Sequence, residues 1–70
     1  MTEYNPIIRI DDIRLAGFCV TGARRWFSEH NLDFRDFIKN GIPAKDFIAA
    51  GDQLALTVVE RKKAREELNG

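Results

Sequence analysis

Cysteine, proline and long apolar runs are all scarce in this chain, and its charges cancel. Cys19 is the single cysteine, so no internal disulfide can form and a reducing compartment is the simplest reading. No apolar run approaches the roughly 20 residues that a membrane span needs. Met1-Thr2-Glu3-Tyr4 has neither the basic flank nor the apolar stretch of a secretory signal. The expectation is a cytoplasmic protein. Eleven basic and eleven acidic residues balance, which lacks the strong field of a nucleic-acid binder or a polybasic membrane module. The same balance leaves little repulsion between copies, so self-association is open.

The chemistry-bearing residues are equally sparse. One Cys and one His cannot supply the three or four ligands of a metal site. Gly17, Gly22, Gly41 and Gly51 are dispersed and read as helix punctuation, not as a phosphate-cradling loop. At 70 residues the chain makes one domain at most, with a thin stability margin and little material to wall a catalytic cleft. No cofactor and no small-molecule substrate are expected.

What is present is concentrated. Five Phe, one Trp and one Tyr are the aromatic residues, and Phe18, Trp26, Phe27, Phe34 and Phe37 fall within residues 18–38. Ala23, Trp26, Phe27 and His30 sit at i, i+3, i+4, i+7, one face of a helix. Phe34, Phe37 and Ile38 repeat the spacing after a short turn. Two aromatic-faced helices so placed will pack on each other. The expectation is an all-α fold, a compact bundle of about four or five short helices with an extended N-terminal arm and a longer C-terminal helix. Trp26, Phe27, Phe34, Phe37, Phe47, Leu54 and Val58 are the expected core.

Residues 1–10 read as an extended arm, 11–60 as a helical core, and 61–70 as the projecting end of the last helix. Ile7-Ile8-Arg9-Ile10 is β-prone, yet no second run of comparable quality exists to pair with it. It either lies across the helices as a lead-in, the reading we favour, or pairs with a second copy. Asp11 or Asp12 is placed to cap a short helix that Gly17 ends. Thr21 is expected to cap the next, running to about His30 with Asn31 just past its end. Asp33 caps the third, with Asp36 at its third position, and Asn40-Gly41 stops it. Pro43 suits the first position of a short helix through Ala50. Gly51-Asp52 then pairs a stop with a new cap, and the last helix runs for about 16 residues, some 25 Å. Its front half is apolar and docked. Its rear half, carrying Arg61, Lys62, Lys63 and Arg65, is expected to reach into solvent, so that truncation after Glu60 would leave folding largely intact.

Cys19, between Phe18 and Val20, is expected to be a buried, inert thiol. His30 would complement the dipole of its helix end. Asp11/Asp12 and Asp33/Asp36 sit at helix starts, where capping accounts for them without acid–base chemistry. No enzyme is expected. The rear of the last helix offers a candidate partner surface, Arg61, Lys62, Arg65 and Leu68, although i, i+4 pairs such as Arg25–Glu29, Lys62–Glu66 and Lys63–Glu67 would make its charges an ordinary solvated face. As the alternative, a helix-turn-helix with Gly17 in its turn would read DNA through Thr21, Arg24 and Arg25. Its first helix is barely two turns, and Phe18, Cys19 and Val20 occupy the turn.

Leu15-Ala16-Gly17-Phe18-Cys19, Gly22-Ala23-Arg24-Arg25-Trp26-Phe27, His30-Asn31-Leu32-Asp33-Phe34-Arg35-Asp36-Phe37, Asn40-Gly41-Ile42 and Gly51-Asp52-Gln53-Leu54-Ala55-Leu56 together resemble small uncharacterised proteins of tailed bacteriophages and prophages. The likeness spans roughly residues 10–60 and consists of core and capping residues, so it carries over no site. It implies a bacterial cytoplasm during phage growth, and a partner in virion assembly or phage gene control. The sequence therefore points to a small non-enzymatic interaction module that binds a protein or itself, with nucleic acid the second choice and no membrane.

Overall fold

The computed structural model describes residues 4–50 and 53–69. Along them run β1 (Ile7–Ile8), α1 (Ile10–Leu15), α2 (Val20–Glu29), α3 (Phe34–Asn40), β2 (Ile42–Pro43), α4 (Ala44–Ala49) and α5 (Gln53–Asn69). The fold is predominantly helical, and α5, at 17 residues, is its longest helix. The expected stop and cap at Gly51-Asp52 lies outside the described residues. Helix α1 packs on α2 and α5, α2 on α3, and α4 on β1 and α5. The radius of gyration is 11.6 Å, close to the ~11 Å of a compact chain this long.

Local sequence sets most helix ends. Asp33 accepts the backbone N–H groups of Arg35 and Asp36 at 2.9 and 3.2 Å, and so caps α3 as expected. Two C-termini close in the same manner. Gly17, at φ +96, follows α1, with Gly17 N donating to Arg14 O and Phe18 N to Ile13 O. Asn31, at φ 58, follows α2, with Asn31 N donating to Ser28 O and Leu32 N to Phe27 O. Gly41 ends α3 at φ 77, and a Cβ there would come within 2.5 Å of Ile7 Cγ2. Only glycine meets both demands.

Four expectations about local structure change. The N-cap of α1 is Arg9, not Asp11 or Asp12; Asp12 instead accepts Arg9 N–H at 2.9 Å from the third helical position. The N-cap of α2 is Cys19, not Thr21. Pro43 precedes α4 as its N-cap, one position earlier than expected. Finally, the β-prone arm does have a partner. β1 pairs antiparallel with β2, Ile7 opposite Pro43 and Ile8 opposite Ile42. Ala44 N donating to Pro6 O at 2.8 Å, and Lys45 N donating to Asn5 Oδ1 at 2.9 Å, extend that attachment. A two-residue strand ending in proline carries no periodic signal.

The core is an aromatic cluster centred on Phe27. Its ring lies 4.5 Å from Phe37, 5.3 Å from Trp26, 5.5 Å from Phe34 and 6.0 Å from Phe47. Each such pair adds about 0.5–1.5 kcal/mol beyond the area it buries. Trp26, Phe27, Phe37, Phe47 and Val58 are buried as expected, whereas Phe34 and Leu54 are only partly covered and pack against the cluster's edge. Ile8, Ile13, Ala16, Ala23, Ala44, Ala55 and Val59 complete the interior.

The rear of α5 does not project as expected. Lys62 Nζ and Arg65 Nη2 reach Asp12 Oδ1 at 3.0 and 2.9 Å, and Arg61 donates to the carbonyl of Ala16. Tyr4 OH donates to Glu66, and Lys63 lies 5.6 Å from the centre of the Tyr4 ring. Asp12 is 7% exposed, and a carboxylate that buried needs cations or donors around it. That demand draws α5 onto α1. Leu68, 87% exposed, stands clear near the end, as do the exposed Ala64 and Glu67.

Candidate functional site

Helix α2 turns Ala23, Trp26 and Phe27 inward, which forces Thr21, Arg24, Arg25 and Ser28 (i, i+3, i+4, i+7) onto the opposite, exposed face. The structure thus brings together the three residues expected to face a nucleic acid and adds Ser28. The reversal at Asn31 sets the start of α3 beside this face. Between them lies an open groove of about 410 Å³, lined by Arg24, Ser28, Leu32, Asp33, Phe34 and Arg35. Arg24 lies 5.7 Å from the centre of the Phe34 ring, within cation–π range. Leu32 and Phe34 are half-buried and form the apolar part of the lining.

Arg24 and Arg35 form no ion pair among the described residues, where the ion pairs both converge on Asp12. Asp33 offsets one of the two guanidiniums in charge but forms no ion pair with either, its Oδ1 being turned to two N–H groups of α3. Sequence reasoning missed Ser28, Leu32, Phe34 and Arg35 as partners of Arg24. The i+4 spacing of Ser28 from Arg24 was available; the approach of Arg35 depends on the turn.

In the other candidate surface the three cations bond to the fold itself, while Arg61 and Leu68 stay exposed and Lys62 and Arg65 are half-buried. Lys62 and Arg65 are held by Asp12, and Arg61 by the end of α1. These contacts, and the Tyr4–Glu66 hydrogen bond, replace the expected local pair of Lys62 with Glu66. Burial, then the hydrogen bond and charge of Glu66, push the Tyr4 hydroxyl up to about 12.

Cys19 is exposed, not buried. As N-cap its Sγ accepts the Gly22 N–H at 3.2 Å, so the thiol points along the helix start and not into the core. His30 is the C-cap of the same helix, with Nδ1 2.8 Å from Trp26 O and its ring stacked 4.0 Å from Trp26. Cap to cap, the two are separated by about 16 Å of helix, so no Cys–His pair forms. Among the described residues no group of three or more His, Cys, Asp or Glu could hold a metal ion, and no helix is long and apolar enough to cross a membrane.

Comparisons with family models, curated proteins and solved structures give no match. The reading of role rests on the chain's own chemistry.

Proposed function

We propose that this chain is a non-enzymatic interaction or assembly module that binds a protein partner or a second copy of itself. One observation carries the reading: the outer face of α2 and α3 holds two guanidiniums that form no ion pair among the described residues, beside a half-buried phenyl ring. The other chemically capable groups serve the fold. Asp12, Asp33, Cys19 and His30 each contact the protein's own backbone or cations. Arginine beside an aromatic surface is the composition of interface anchors. The resemblance to small phage and prophage proteins supports a bacterial cytoplasm as its setting and virion assembly or phage gene control as its context. Sedimentation of the full chain over rising concentration, together with pull-down from a phage-producing host, tests the reading. A strict monomer that recovers no partner rejects it.

A second reading follows from Thr21, Arg24 and Arg25 sharing one exposed face of the helix that succeeds α1 and its four-residue connection at 16–19. That face could enter a DNA groove. Mobility-shift titration at low salt, with Arg24→Glu and Arg25→Glu alongside, decides it. Retardation that the substitutions leave unchanged, or none at all, removes this alternative.

A further inference from the structure

We infer that the groove between α2 and α3 docks an acidic segment of a partner protein, a carboxylate set next to an apolar or aromatic side chain. This deepens the interaction-module reading and rests on it. Arg24 and Arg35 both line the groove and lack an ion-pair partner among the described residues. Arg24 Cζ stands over the Phe34 ring at 5.7 Å from its centre, a contact that uses the face of a guanidinium and leaves its N–H groups to hydrogen-bond an acceptor. Asp33 is the acidic residue of the lining, its Oδ1 turned to the N–H groups of Arg35 and Asp36; two guanidiniums against this one carboxylate leave the lining with a positive charge to be met from outside. Ser28 adds a hydroxyl, and Leu32 and Phe34 supply an apolar wall for the neighbouring side chain. The volume, about 410 Å³, lies at the low end of the roughly 300–1,000 Å³ of ligand sites. It suits two or three side chains of an extended segment.

Charge selects a peptide over a nucleic acid. A strand needs phosphates neutralised repeatedly along a basic stripe, whereas the lining offers two guanidiniums beside one carboxylate and the chain has no net charge. One carboxylate needs only the two guanidiniums.

The test titrates the isotope-labelled full chain with three probes: a blocked peptide carrying Asp-Phe-Glu between glycines, its Asn-Phe-Gln counterpart, and a thymidine hexanucleotide. The acidic peptide is expected to shift the amide signals of residues 24, 28 and 32–35. Arg24→Ala and Arg35→Ala should each weaken it about tenfold, as should the amide counterpart. Both arginines are exposed, so an unchanged thermal midpoint will certify the variants as folded. The inference is overturned by equal binding of the amide counterpart, by tighter binding of the oligonucleotide, by shifts mapping elsewhere, or by none. A partner recovered equally by the wild-type chain and the Arg24→Ala/Arg35→Ala double variant would sink the groove and leave the module standing. A monomeric chain that recovers nothing would sink the module itself.

Discussion

Trp26 puts its ring within 5.3 Å of Phe27, 5.1 Å of Phe47 and 4.0 Å of His30, while its indole N–H is buried without an acceptor among the described residues. The two facts pull in opposite directions. Removing the ring empties the centre of the cluster, so Trp26→Ala should cost about 3–5 kcal/mol, much or all of what a domain this small has. Trp26→Phe keeps most of the contact and discards an unpaired donor, whose desolvation is worth about 1–3 kcal/mol. It should therefore cost about 1–2 kcal/mol, well under the alanine variant. Denaturant midpoints followed by circular dichroism, which does not need the lost fluorophore, separate the two. Equal losses would mean that a phenyl ring recovers nothing at this position, so that the aromatic contacts do not carry the stabilisation assigned to them.

Among the elements, the rear of α5 is where charge decides the packing. Asp12 sits 50 residues from Lys62 and 53 from Arg65, yet it takes both, and the Arg9 N–H too. Asp12→Ala would strand those cations. Their side chains keep 20% and 29% exposure, so the loss should fall below the ~3–5 kcal/mol of a fully buried pair, at about 2–3 kcal/mol. Truncation after Glu60 removes the same contacts and should lower the thermal midpoint comparably, not leave it unchanged. A midpoint within a degree or two of the intact chain would restore the projecting helix.

That contrast also explains what could be read beforehand. Asp33, Asn31 and Asn40-Gly41 end their helices through groups two to five residues away, and such short-range chemistry is written in order along the chain. Asp12 next to Asp11 looked like another cap, because the cations that claim it lie far off in sequence. Lys62 looked paired to Glu66 for the same reason. Cys19 between Phe18 and Val20 has an apolar neighbourhood in sequence but faces outward, its side chain turned to the free Gly22 N–H at the start of α2. Of the groove, Arg24 was visible as an outward residue of α2. Phe34 read only as core, and Arg35 carried no signal until the turn at Asn31 placed it.

At the scale of the whole molecule, the arm and the last helix close on each other through Tyr4 and Glu66, 62 residues apart. The hydroxyl keeps its proton in that setting. Its pKa rises from 10.0 to about 12, so the clasp contributes fully below pH 10 and fades as pH climbs through the higher value. Tyr4 is the chain's one tyrosine, which makes tyrosinate absorbance a clean report. Its midpoint is expected near 12 in the folded protein, and a Tyr4→Phe variant should lose less stability than the parent over that alkaline window. An absorbance midpoint at the ordinary value would mean the arm is not clasped.

The attachment of Asp12 to Lys62 and Arg65 has a further consequence for how the chain is made. A ribosome releases the acid early and its two counter-charges some fifty residues later. Until they emerge, the nascent N-terminal half has no way to desolvate that carboxylate, however well its aromatic rings have collapsed. The fold should therefore lock only once Lys62 and Arg65 have been made, in one late step and not helix by helix.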